Sequence, residues 1–542
     1  MTCLDRNVSY RAPVGDGEKL CEPPGGLLTK TVADNRQARA SHDVELHGRS
    51  LTELAESARA EALEEALAYT RSYGVEVPDC DVQGPLILSG HQPQWFHPGV
   101  WLKNFAAARI AQQCGGTAIH LIIDSDLCRS PTVRVPAGTV SSPRVEYIAL
   151  DRISEEVPYE QRQIVDRQQW ESFGERVGEA IGSVVPAPAV RQWWPLAIER
   201  SQQTASLGLA LAQSRHLVEL QWQSTSLELP QSRVCQLSAF RWFAVHLLDE
   251  MSSFHTVYNE ALADYRRRHR IVNRAQPAAD LGESDGWLET PFWIWSTDNP
   301  RRRALYVRRQ GDELQLSDRD QWQQSLPISS GGSPERAVAC LAEWEARGVK
   351  LRTRALMTTL FSRLLLADLF IHGIGGAKYD QVTEVLCEQF FGLTLPHSAV
   401  LSGTLRLPIE HATVEPDAQR KIAQRLRELT FHPEVHLEVP IDTALNLSDR
   451  QQIDSLLEQK STWVNTVKTP ENAAQRHAQI HSANQQLQPW LGERRKQLEL
   501  QLAETGRQMQ IAEIVESREY AAWLYPVEIL RKFLLDFSPP MP

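Results

Sequence analysis

The chain has 542 residues, with 57 Lys and Arg against 68 Asp and Glu and a formal net charge of −11. That acidic balance argues against a dedicated nucleic-acid binder, which carries a basic excess. With 42% hydrophobic and 23% charged residues, 29 Gly and 31 Pro, the composition excludes disordered, collagen-like and disulfide-scaffold classes, and it suits a globular protein with core for roughly three to four domains of about 150 residues.

The first twenty residues hold Asp5, Arg6, Arg11, Asp16, Glu18 and Lys19 with no apolar stretch between them, so no secretory signal is expected. The most apolar later run, Leu364 to Ile374, is broken by Asp368 and His372 and falls short of the roughly 20 residues that cross a bilayer. The eight cysteines form no C-x-x-C pair, which suggests neither a zinc knuckle nor a disulfide framework. A cytoplasmic protein without membrane or nucleic-acid partners is expected.

Residues 1–50 are rich in Pro, Gly and charge and show no sustained period, reading as a loosely ordered arm. Leu51, Leu54, Ala55, Ala58, Ala62, Leu63, Ala66 and Leu67 recur at helical spacing, predicting an amphipathic helix that Gly74 and Pro78 end. The run Pro85 to Gly90 then reads as a strand, Gly99 to Gln113 as a helix, and Ala118 to Asp124 as a second buried strand. This is a βαβ unit of nucleotide-binding type, in which ligands sit beyond the carboxyl ends of the strands. Two segments land there: Ser89 to Gly99, and Asp124-Ser125-Asp126.

From 151 to 330 the pattern is mixed, with tryptophans at Trp193-Trp194 and Trp287 to Trp295 and arginines at 266–268, 270 and 301–303. Such tryptophans are more often core or interface than a stacking platform. Asn259, Tyr265, Arg268 and His269 fall on one predicted helix, read as a solvated basic face. The stretch Ser329 to Pro334 reads as a loop, and helices follow over Glu335 to Arg347 and Thr353 to Leu366. Leu369 to Asp380 then passes from an apolar run through a glycine turn into a helix. Further on, Ile480, Leu487, Leu491, Leu498, Leu502 and Met509 follow at spacings of 7, 4, 7, 4 and 7, a heptad seam that fits a single-chain helical hairpin and a dimerising coiled coil equally. Tyr520 to Phe537 is apolar enough to pack back on the body.

Three segments carry candidate chemistry. Gly90, His91, Gln92, His97, Gly99 and Lys103 surround a turn that opens a helix, where backbone N–H groups attract phosphate and His or Lys can meet charge as it develops. A turn whose side chains satisfy only local hydrogen bonds is the alternative. Asp124 and Asp126 could hold magnesium, a ribose hydroxyl or a substrate amine, or simply cap a loop. His372, Gly373, Gly375, Gly376 and Lys378 resemble a phosphate cradle without the Walker A order. Asp380 follows at the helix start, and Arg352 and Arg354 upstream suit carboxylate or phosphate. His97-Pro98-Gly99 also resembles half of the His-x-Gly-His motif of adenylylating class I nucleotidyltransferases.

The run from Ile87 to Lys103, with the strand that ends at Asp124-Ser125-Asp126, resembles the bacillithiol biosynthesis cysteine-adding enzyme family. Gly90-His91-Gln92, Phe96, Pro98-Gly99, Trp101 and Lys103 correspond to that family's Gly-Gln-Gln turn, Phe, Gly-Pro pair, aromatic and Lys. Here His91 stands for the first Gln, Pro and Gly are exchanged, Lys103 comes earlier, and the acidic cluster is shorter. The resemblance implies α/β architecture: a Rossmann-like parallel sheet core with connecting insertions and a C-terminal α-helical coiled-coil arm. The segments are then an arm (1–50), the first part of the core (51–150), an insertion (151–330), the second part of the core (331–415), the helical arm (416–515) and a segment packing on the core (516–542). It also implies an ATP-dependent ligase, working with or without magnesium, that joins the carboxylate of an amino acid, cysteine by resemblance, to an amino-sugar-type amine. In that reading His91, His97, Lys103, Asp124 and Asp126 are catalytic. Gly90, Gln92, Gly99, His372, Gly373, Gly375, Gly376 and Lys378 hold ATP, and Arg352, Arg354 and Asp380 bind substrate. The partners are small molecules and, through the coiled coil, a second copy of the chain. A nucleotidyltransferase-like enzyme and a non-catalytic coiled-coil scaffold are the rival expectations.

Overall fold

The computed structural model describes residues 9–77, 80–152, 155–328, 333–437 and 447–537. Pro78, Cys3, Asp5, Arg6 and the loop residues Ser329 to Gly332 lie outside the described residues. The protein is mixed α/β, and its contacts divide it into two units. One holds the described residues of 9–138, 145–408 and 518–537; the other holds 139–144 and 409–517. Among the described residues no helix is long and apolar enough to cross a membrane.

The first unit is built on a six-stranded sheet of β1 (Lys19–Glu22), β2 (Leu86–His91), β3 (Thr117–Ile122), β4 (Ser226–Pro230), β5 (Leu369–His372) and β6 (Ala399–Gly403), in the order β1-β6-β5-β2-β3-β4. All neighbours are parallel except the edge strand β1, which runs antiparallel to β6. The four central strands are buried on both faces, which explains their near-continuous apolar runs. Counting only parallel strands, the chain builds β2, β3 and β4 outward in one direction, then returns to place β5 and β6 on the other side of β2. The direction of growth therefore reverses between β2 and β5.

The helices that pack on this sheet include α1 (Leu28–Ala40), α2 (Leu51–Arg71), α3 (Pro98–Cys114) and α4 (Ile374–Leu386). The expected βαβ unit is present as β2, α3 and β3, paired in register from Leu86↔Thr117 to His91↔Ile122. Helix α2 starts where the Ser50 hydroxyl accepts the Glu53 N–H at 3.1 Å, and it buries the predicted stripe from Leu51 to Ala66. The segment read as a loose arm instead supplies β1 and α1. Helix α1 was illegible because half its buried face is polar: Asn35 and Arg39 lie inward beside Leu28 and Val32.

Residues between β4 and β5 form a second, antiparallel sheet, whose strands include Trp287–Ser296, Arg303–Gln310 and Val349–Thr353. Val349–Thr353 pairs with Trp287–Ser296, so Arg352 lies on a strand and the predicted helix begins only at Ala355. Most tryptophans are core. Trp95 stacks on Trp193 and Trp523 with centroids 5.4 and 5.2 Å apart, which anchors the C-terminal segment.

In the second unit the heptad seam is shared between helices of the same chain. Leu487 packs with Ile453 and Leu456, and Leu491 and Leu498 pack with Leu429. A short 3-10 turn over Gln488–Leu491 interrupts the long helix at mid-seam.

Asp368, 1% exposed, joins the parts of the first unit. Its carboxylate accepts the Leu86 N–H at 2.7 Å and pairs with Arg39 at 3.0 Å and Arg59 at 2.9 Å, while its own N–H donates to the Leu86 carbonyl at 2.8 Å. Removing one member of such a buried cluster leaves the other charges unpaired. Asp368→Ala is therefore expected to cost about 3–5 kcal/mol, measured as a lower denaturation midpoint by circular dichroism.

Candidate active site

Strands β2 and β5 are adjacent and parallel, so their carboxyl ends deliver two loops to one place, where the direction of sheet growth reverses. Such a reversal opens a crevice between the loops. Here a cleft of 1080 Å³ occupies it, lined by Gly90, His91, Gln92, His97 and Lys103 from the first loop and by His372, Gly373, Gly375, Gly376 and Lys378 from the second. The first turn of α4 borders it through Ile374, Gly375 and Gly376, presenting backbone N–H groups, whereas α3 opens on Pro98, which has no N–H, and the Val100 N–H donates to the His97 carbonyl at 3.0 Å. A Cβ at Gly373 or Gly375 would meet nothing, so packing does not require these glycines, whereas at Gly376 it would come within 2.9 Å of His372 Nδ1.

The two histidines of the first loop are neutral. Burial, reinforced by Lys103 and His97, pushes His91 well below its ordinary value. Burial, with Arg518 and Lys103, takes His97 down to about 3. The Nδ1 atoms of both rings are buried without a hydrogen-bond partner. Lys103, 3% exposed, donates to the Gly90 carbonyl at 2.9 Å. Burial and then Arg215 lower its ammonium to about 8.

Asp126 lines the cleft, accepting from Gln92 Nε2 at 3.1 Å and from Arg302 at 3.1 Å. Arg302 and Arg354 both lie over the Trp293 ring, 4.5 and 4.1 Å from its centroid, and Arg354 also pairs with Glu289 at 2.5 Å. Arg354 thus lines the cleft.

Four candidates do not line it. The buried Asp124 carboxylate accepts both the backbone N–H and the hydroxyl of Ser232, and burial together with Glu160 raises it to about 7. Arg352, 1% exposed, is held between Glu160 at 3.1 Å and Glu345 at 2.8 Å. Asp380 is buried against Arg363 at 2.5 Å and His372 at 3.0 Å. Burial pushes its carboxyl up, but Arg363 and His372 outweigh that and hold it well below the usual range. Gly99 is a packing glycine, since a Cβ there would stand 2.0 Å from the Gly403 carbonyl oxygen.

Sequence reasoning missed Arg129, Trp293, Arg302, Arg518 and Tyr379, all on the cleft wall. The tryptophan run and the arginine triplet were visible, but only the pairing of their strands brings them to β2 and β5. Altogether seven Lys and Arg residues (Arg11, Lys103, Arg129, Arg302, Arg354, Lys378 and Arg518) line the cleft against two acids, Asp126 and Glu519. In a chain of net charge −11 this is a local excess of cations, which gives the cleft a positive field. Among the described residues no group of three or more His, Cys, Asp or Glu side chains is placed to hold a metal ion.

No family model and no curated protein matches the chain.

The lowered Lys103 value has a direct readout. As pH rises, its amine loses its proton near 8, whereas an ordinary lysine does so near about 10.4. Competitive acetylation read by mass spectrometry should therefore show half-maximal reactivity of Lys103 about two units below that of surface lysines.

Proposed function

We propose that the protein is an ATP-using ligase of the cysteine-adding type, coupling an amino-acid carboxylate to the amine of an amino-sugar-type acceptor. The observation that carries the reading is the cationic cleft at the β2/β5 reversal, with buried, unpartnered Nδ1 atoms of His91 and His97 on or beside its wall. The parallel strand order supports a Rossmann-like core. The resemblance of Gly90 to Lys103 to the cysteine-adding family supplies the reaction class. For the helical unit, the intrachain burial of Leu487, Leu491 and Leu498 favours a coiled-coil-type arm completed within one chain over a seam-mediated homodimer.

Amide formation needs an activated carboxylate, and ATP supplies that activation. Lys378, Gly373, Gly375 and the first turn of α4 would hold its phosphates, with Lys103 and the loop histidines on the opposite wall. As neutral rings, His91 and His97 each offer one N–H to an anion, and a gathering negative charge would raise their proton affinity. Asp126, fixed by Gln92 and Arg302, is the carboxylate best placed to meet a magnesium ion or the incoming amine. Arg354 and Arg302, braced over Trp293, would orient an anionic substrate group.

Calorimetric titration with ATP, ADP and AMP, with and without magnesium, tests the reading. Saturable ATP binding is expected, weakened about tenfold or more in Lys378→Ala, as for loss of a charged hydrogen bond. Cysteine- and amino-sugar-dependent release of ADP or AMP should follow. Absence of binding at millimolar nucleotide would remove the ligase mechanism and favour the scaffold reading.

A further inference from the structure

On the far side of the first turn of α4 lies a second hollow of 430 Å³, walled by Tyr265, His269, Ile271, Pro277 and Tyr379. Gly375, Lys378, Pro277 and Tyr379 line both this hollow and the main cleft, so the two are adjacent. Their chemistry differs. Seven cations surround the cleft, whereas Lys378 is the only Lys, Arg, Asp or Glu among the described residues lining the hollow.

Three aromatic rings, Tyr265, His269 and Tyr379, belong to the remaining wall. Tyr265 and His269 lie with centroids 4.3 Å apart and planes inclined by 37°. His269 Nε2 is 3.0 Å from Gln381 Oε1, which fixes the imidazole, and Tyr265 is 3% exposed. Three neighbouring arginines are committed elsewhere: Arg266 donates to the carbonyls of Arg274, Gln276 and Ala278, while Arg267 and Arg268 pair with Asp264. The helix read from sequence as a solvated basic face therefore turns aromatic surface, not charge, toward the hollow.

We propose that this hollow receives the heteroaromatic base of a nucleotide whose phosphates lie along the glycine turn, with Lys378 at the junction of the two compartments. The inference rests on the nucleotide reading above and specifies how that ligand is divided. A purely anionic ligand would use only the cationic cleft. A flat ring with polar edges suits a compartment offering ring faces for stacking and the side chains of Ser9 and Gln276 for its edges.

The test compares magnesium-ATP with inorganic tripolyphosphate by calorimetry on the full chain, for the natural sequence, His269→Ala and Ile271→Trp. His269→Ala removes a stacking face, and Ile271→Trp fills the hollow. Both residues are partly exposed, and thermal melts by circular dichroism establish that the variants are folded. Each variant is expected to weaken ATP about tenfold, as for loss of one base-stacking contact, while leaving tripolyphosphate affinity unchanged. ATP affinity that survives both substitutions, or falls in step with tripolyphosphate, overturns the base site while leaving the nucleotide reading standing. Absence of ATP binding by the natural sequence overturns both.

Discussion

The parallel pairing of β2 with β5 is the constraint on which the rest of the first unit depends. Ile87, Leu88 and Ser89 stand beside Leu369, Phe370 and Ile371, although some 280 residues separate the two strands. Closing so long a loop gains little from local contacts, so the pairing needs strong reinforcement where it begins. Asp368 supplies it by exchanging backbone and side-chain hydrogen bonds with Leu86 and collecting Arg39 and Arg59. One carboxylate thereby sets the register of the central strand pair and fastens two flanking helices. Register matters because each loop continues directly from its strand: a slip of one residue would move Gly373 relative to Gly90 and turn the strand's side chains to the opposite face.

Charge is spent unevenly across this framework. Several buried acids and bases are paired with one another: Arg352 with Glu160 and Glu345, Arg363 with Asp380 and Glu384, Arg162 with Asp151. Buried pairs of this kind contribute little net stability, yet they are costly to break, so they fix geometry. In the cleft the balance is reversed, with cations exceeding anions and two imidazoles kept neutral by burial first and by the neighbouring positive charge second. A ligand carrying negative charge would relieve that imbalance, and the same field that depresses the histidines would then be offset.

What was legible in the sequence follows from what folds locally. The β2-α3-β3 unit and α2 announced themselves through apolar runs and a clean helical stripe, and the loop residues His91, His97 and Lys103 followed from their place after a strand. Helix α1 stayed hidden because Asn35 and Arg39 point inward, satisfied by Asp368, His397 and Ala367, groups more than 300 residues away. Asp124, Arg352 and Asp380 looked available for chemistry for the same reason. Ser232, Glu160 and Arg363, the partners that occupy them, are remote in sequence or unrelated to it by any period. The cleft residues Trp293 and Arg302 were visible as composition, but only the antiparallel pairing of their sheet assigns them a place.

The contribution of the second sheet bears most directly on chemistry. The parallel sheet alone would supply a glycine turn, a helix end and loop side chains, a combination that many folds use to hold phosphate without committing to any reaction. Strands Trp287–Ser296 and Val349–Thr353 add Trp293 and lead into Arg354, and Arg302 precedes the strand Arg303–Gln310. Their guanidinium groups are braced from below by the indole and from the side by Glu289 and Asp126. Arginines fixed in this way lose little freedom on meeting an anion, so their binding energy goes into orientation. The second sheet thereby gives the crevice a rigid, separately built wall beside the glycine turn of the parallel sheet.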